Sequence, residues 1–169
     1  MKLVNLIDES FTEYKKPHML LGFPYCTFKC DQEHGSQICQ NSALASAKKI
    51  EYDVEDIVAR YLSNDITKAI VCAGLEPLDS FSDVLSLLGN LRILHSCYDD
   101  FVIYTGYYPY EIEDKLSVLA GYENVIVKFG RFIPGHKPHR DEVLGIDLAS
   151  ENQFAKKITI EDATSIYSK

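Results

Sequence analysis

The sequence predicts a single α/β domain, built either as an open, mostly parallel sheet flanked by helices or as a compact partial (β/α) barrel. Three observations predict it. Short runs that are apolar throughout recur along the chain and stop at proline or glycine. Stretches with apolar residues at helical spacing separate them. The 169 residues are one domain's length, with no repeat, low-complexity tract or long linker to divide them. Continuously apolar strands alternating with one-faced helices mean a parallel sheet buried on both faces.

The elements follow in order. Met19–Phe23 is a strand that ends at Pro24. Val54, Ile57, Val58, Tyr61 and Leu62 fall at i, i+3, i+4, i+7 and i+8, one face of a helix with Asp53 as its N-cap. Ala69–Ala73 is apolar throughout and stops at Gly74. Phe81, Val84, Leu85, Leu88 and Leu91 mark a second helix, capped by Asp79 or Ser80. Phe101–Thr105 is a β-rich run closed by Gly106. Pro109 opens a third helix that turns Ile112, Leu116 and Leu119 inward. Val125–Phe129 is the last core strand. Residues 134–142 read as a polar loop, and a short terminal helix starts at Thr159.

Composition narrows the function. The formal charge is −8, and lysines and arginines are scattered singly or in pairs. A nucleic-acid binder needs a concentrated basic face, so that class is excluded. Two acids, Asp8 and Glu9, cut off the first apolar stretch before it reaches signal-peptide length. No apolar run approaches the ~18 residues of a membrane span. A cytoplasmic protein is expected, and in a reducing compartment its five cysteines are not a disulfide framework.

In open α/β folds and barrels, ligands sit at the C-terminal ends of the strands. Pro24-Tyr25-Cys26, Gly74-Leu75-Glu76-Pro77, Thr105-Gly106-Tyr107 and Gly130-Arg131-Phe132 all fall there. Cys26, Cys30 and Cys39 lie within fourteen positions directly after a strand. That density points to a metal or cluster site rather than core filling. Zinc with His34 as a fourth ligand is one candidate, although the second closely spaced pair that zinc sites favour is missing. An iron–sulfur cube held by three thiolates, with one iron left open, is the other. Cys72, inside a strand, is a core thiol, and Cys97 has no role. His136 and His139 sit solvated in the Pro-Gly loop.

These segments together resemble the radical S-adenosylmethionine proteins. More narrowly, the chain resembles the activating proteins of anaerobic ribonucleoside-triphosphate reductase. That family shows Cys-x3-Cys-x2-Cys followed by an aromatic-Asn pair. A Gly-Gly-[Asp/Glu]-Pro turn, an aromatic-x-Thr-Gly-Tyr strand end and a late Ser-x-Asn-Gln come after. Here the counterparts are Cys26, Cys30 and Cys39-Gln40-Asn41, then Gly74-Leu75-Glu76-Pro77, Tyr104-Thr105-Gly106-Tyr107, Val127–Phe132 and Ser150-Glu151-Asn152-Gln153. The order holds from about residue 18 to 153. Two features depart from the pattern. Eight residues instead of two separate Cys30 from Cys39, with Asp31 where an aromatic is usual, and Leu75 replaces the second glycine. The longer loop costs only about 1 kcal/mol of closure entropy, against roughly 10 kcal/mol from thiolate–metal bonding.

The resemblance implies a [4Fe-4S] cluster on Cys26, Cys30 and Cys39, with S-adenosylmethionine chelating the open iron. Reductive cleavage gives methionine and a 5′-deoxyadenosyl radical. The radical is delivered to a glycine of a large partner, such as the anaerobic ribonucleotide reductase large subunit, at the expense of an external electron donor. It further implies that Glu76 and the carbonyls near Gly74 hold the methionine ammonium, with Pro77 fixing the direction of Glu76. Thr105 and Gly106 reach the ribose or methionine, and Asn152 orients a polar group. Tyr107-Tyr108-Pro109-Tyr110 offers partner contacts, a lid or core residues. The alternatives are radical chemistry on a different substrate, or a non-catalytic binding module stabilised by zinc or a cluster.

Overall fold

A computed structural model of the chain describes residues 1–161. The helix expected from Thr159 lies almost wholly outside the described residues. In chain order the elements are β1 (Lys2–Leu3), β2 (Asn5–Ser10), β3 (His18–Phe23), α1 (Lys29–His34), β4 (Ile50–Glu51), α2 (Val54–Leu62), β5 (Ala69–Gly74), α3 (Phe81–Gly89), β6 (Asp100–Tyr104), α4 (Glu113–Leu119), β7 (Val125–Phe129), β8 (His139–Asp141), β9 (Ile146–Leu148) and β10 (Phe154–Lys157). Six strands form one open α/β sheet in the order β10-β7-β6-β5-β3-β2. β3, β5, β6 and β7 are parallel, and the edge strands β2 and β10 are antiparallel to their neighbours. Among the described residues no helix is long and apolar enough to cross a membrane.

The parallel strands step across the sheet in one direction. Right-handed crossovers then put α2, α3 and α4 on the same face. The packing agrees. Met19, Leu21 and Phe23 of β3, Ile70 and Cys72 of β5, Phe101 and Ile103 of β6, and Val125, Val127 and Phe129 of β7 share one core with Ile57, Val58, Leu87, Leu88, Leu116 and Leu119 of the helices. The alternate strand residues, Val71, Val102 and Ile126, face the other side. There the cover is Tyr14 of the β2–β3 connection together with Leu144 and Leu148 of the β8–β9 hairpin. Lys15 N–H donates to Leu144 O at 2.8 Å and locks those two covers together. Each fully buried aliphatic or aromatic side chain on either face contributes about 1.5–3 kcal/mol.

The structure corrects the sequence reading in three places. Residues 134–142 are not all loop, because His139–Asp141 pairs with Ile146–Leu148. Buried Asp141 holds this hairpin by accepting N–H from Leu144 and from Ala155 of β10, at 2.8 and 2.9 Å. Ser80 precedes α3 without capping it through its side chain. A 3₁₀ turn, Pro77–Ser80, comes first, and the cap moves back to Glu76, which accepts from Leu78 N–H. Pro109 opens a 3₁₀ turn, and α4 begins only at Glu113; Ile112, Leu116 and Leu119 are buried as expected.

Candidate active site at the strand ends

The pairing of β3 with β5 continues past the sheet. Leu75 N–H donates to Phe23 O at 3.0 Å, and Glu76 N–H to Tyr25 O at 2.8 Å. This runs the Gly74–Glu76 turn alongside the segment entering Cys26. Gly74 makes the approach sterically feasible. Its φ is +90°, and a Cβ there would stand 2.7 Å from Phe23 N. Its glycine requirement therefore comes from backbone packing against β3.

Cys26, Cys30 and Cys39 line one cavity of about 110 Å³ together with Gly74, Leu75, Glu76, Gly106 and Tyr107. The structure thus brings together the three predicted thiols and three of the six predicted cofactor residues. Thr105 borders an adjoining cavity of about 140 Å³ with Asn41 and Lys128. Pro77 is buried at the start of its 3₁₀ turn. Asn152 braces the rim from behind, donating to Arg131 O at 2.8 Å and to the Tyr108 hydroxyl at 3.0 Å. Cys72 is fully buried in β5. Cys97 lies beyond α3, half-buried against the helix-side core.

The thiols share one electrostatic site. Burial pushes the Cys26 thiol up to about 11. Phe28 N–H, 3.2 Å from its sulfur, partly opposes this, while Glu76, Asp79 and Cys39 reinforce it. Cys30 is pushed up to about 12 by burial and then by Cys39 and Asp31. Thiols so perturbed stay protonated until a cation replaces the proton. The chemistry of this donor set, sulfurs on a shared cavity amid carboxylates, fits a cationic metal or cluster. Among the described residues no three His, Cys, Asp or Glu side chains converge on one metal-sized point. The sulfurs stand around a space instead.

Glu76 is 4% exposed. Its carboxylate accepts from Gly106 N–H at 2.8 Å, Leu78 N–H at 3.1 Å and the Thr105 hydroxyl. Burial outweighs these bonds and raises it to about 7. Lys128, buried on β7, is pushed down to about 8 by burial, with Glu76 opposing; its ammonium donates to Gly130 O at 2.8 Å. A carboxylate in this state gains most from a cationic partner that enters the cavity.

Three further side chains build the rim. Asn41 Nδ2 donates to Gly74 O at 2.8 Å and ties the cysteine loop to β5. Asp79 accepts from Thr27 N–H at 3.0 Å and from the Tyr107 hydroxyl at 2.7 Å. Arg131, 5% exposed, makes a two-pronged bond to Glu111 at 2.8 and 2.5 Å and donates to Gly106 O at 3.0 Å. That guanidinium holds Glu111 down at about 2. Arg131 lay within a segment already singled out. Lys128 was not singled out, although it is the one charge in the apolar run 125–129. Asp79 was a cap candidate only, and nothing signalled its place on the rim, because its partners Thr27 and Tyr107 lie on the segments that follow β3 and β6.

No protein-family model, curated protein or solved structure matches this chain.

Proposed function

We propose that the chain is a radical S-adenosylmethionine oxidoreductase of the type that activates glycyl-radical enzymes. One observation carries the reading. Cys26, Cys30 and Cys39 border the same cavity as Glu76 and Gly106, although eight residues separate the second thiol from the third. Those three thiolates would hold a [4Fe-4S] cluster, which would supply one-electron reduction of S-adenosylmethionine, passing on an electron from an external donor, to give methionine and the 5′-deoxyadenosyl radical. The chain's own work is binding and exclusion. Glu76 offers a buried carboxylate to the methionine ammonium, aimed by the N–H groups of Gly106 and Leu78. Leu75, Tyr107 and Phe132 supply cavity wall that limits water. Thr105 and Gly106 flank this carboxylate at the end of β6 and are suited to hold the rest of the cofactor.

Cys26, Cys30 and Cys39 are each only half-buried at the strand ends, within reach of a segment of a second protein. This favours a protein substrate, whose glycine-bearing segment enters at the rim, and an external donor for the electron. The cytoplasm suits such oxygen-sensitive chemistry. The test is anaerobic incubation of iron- and sulfide-loaded protein with S-adenosylmethionine and a strong reductant. 5′-Deoxyadenosine is expected, and its formation should stop in Glu76→Ala. A loaded protein that forms none, even with a glycyl-radical partner present, would end the activase reading. Bound zinc without sulfide would favour the binding module.

A further inference from the structure

The wide gap between Cys30 and Cys39 is the sequence's main departure from a compact three-cysteine motif, and the structure shows how the chain spans it. After Cys26 the backbone turns through Phe28 in the left-handed region, φ 53°, into the six-residue helix α1. Gly35, φ 75°, ends that helix, with its N–H on Asp31 O at 2.9 Å. The chain must then return. At that point a single oxygen, Asp31 Oδ1, accepts the N–H of Ile38 at 2.8 Å and the N–H of Cys39 at 2.9 Å. Asp31 directly follows Cys30, so this contact fastens the third ligand's backbone to the second's. The carboxylate is a post around which residues 32–38 loop out and come back.

We infer that Asp31 is the positioning residue that makes the expanded spacing workable, setting Cys39 at the cavity with Cys26 and Cys30 before any metal arrives. What Cys39 is set for rests on the cluster reading above; the post itself is a property of the metal-free chain. Its chemistry explains the residue type. A phenylalanine or tryptophan at position 31 offers no acceptor, and a tyrosine only a hydroxyl held at the far end of a ring. A carboxylate accepts two backbone N–H groups at once with charge-assisted strength. An asparagine carbonyl oxygen keeps the same geometry without the charge, whereas alanine removes the post.

Backbone amide exchange on the reduced, metal-free full chain decides the matter. In the wild type the amides of Ile38 and Cys39 exchange slowly. In Asp31→Ala both accelerate by roughly tenfold or more, the equivalent of losing one charge-assisted bond, while the amides of β5 and β6 stay protected. Asp31→Asn restores most of the protection. Anaerobic loading with ferrous iron and sulfide then follows the same order: full in the wild type, nearly full in Asp31→Asn, sharply reduced in Asp31→Ala. Unchanged exchange at positions 38 and 39 in Asp31→Ala overturns the inference, as does full loading once those amides are released. A wild type that takes up no iron or sulfide sinks the cluster reading instead, and the exchange pattern still decides whether Asp31 is the post.

Discussion

Replacing Glu76 by glutamine should change the pH dependence of stability more than stability itself. The side chain is 4% exposed and its pKa rises to about 7 from the ordinary 4.5. Between those values the folded chain keeps a proton that the unfolded chain has released. The protonated side chain's contribution is therefore fully present below about pH 4.5 and is lost as pH rises through 7. At about 1.4 kcal/mol per pH unit, the loss between about pH 5 and about pH 7.5 is about 2.5 kcal/mol. Lys128 at about 8 sets the upper limit of that window. Glutamine cannot ionise. Its amide must turn a donor towards either Gly106 N–H or Leu78 N–H, which costs about 1–3 kcal/mol at every pH. Urea unfolding of reduced, metal-free protein across this range should find the variant weaker at low pH and level with the wild type, or better, at high pH. Parallel stability curves for the two proteins would refute the argument, because they would mean that burial does not perturb this carboxylate.

Other expectations rest on the same geometry. Gly74→Ala should lose about 2–3 kcal/mol in urea melts, from its left-handed φ and a contact 2.7 Å from Phe23 N. Gly106→Ala, whose nearest neighbours stand at 3.6 Å, should stay within about 1 kcal/mol of the wild type; equal losses would show that Gly74 does not pack as described. Cys39→Ala should strip iron and sulfide from reconstituted protein while Cys97→Ala leaves both; equal loss would place the third ligand elsewhere. Titration of loaded protein with S-adenosylmethionine should show affinity rising with pH up to about 7 and then levelling, as Glu76 gives up its proton. Glu76→Gln should flatten that profile, and a profile unchanged in the variant would separate Glu76 from the ammonium.

Local signals in the sequence carried much of this account. The apolar runs at 19–23, 69–73, 101–105 and 125–129 match the four parallel strands to within a residue at each end, because a strand buried on both faces leaves little room for polar residues. Asp53 caps α2, with Glu55 N–H on its carboxylate at 2.9 Å. The edge strands were not legible. β2 alternates in exposure and carries Asp8 and Glu9, and β10 ends in two lysines, so neither looks like core. The hairpin was hidden for a similar reason: Asp141, not an apolar run, holds it. At the candidate site, strand-end rules located the cysteines and the Glu76 turn. Residues that act through distant partners could not be found that way. Asp79 joins Thr27 to Tyr107, and Arg131 joins Gly106 to Glu111, and only folding makes those pairs neighbours.

The most direct test of the central claim is the iron and sulfide content of protein purified and reconstituted without oxygen, read with the EPR spectrum of its reduced form before and after S-adenosylmethionine is added. A cubane's iron and matching sulfide per chain, with a signal that S-adenosylmethionine alters, is the predicted result. A chain that holds zinc, or a cluster whose spectrum ignores S-adenosylmethionine, would contradict it.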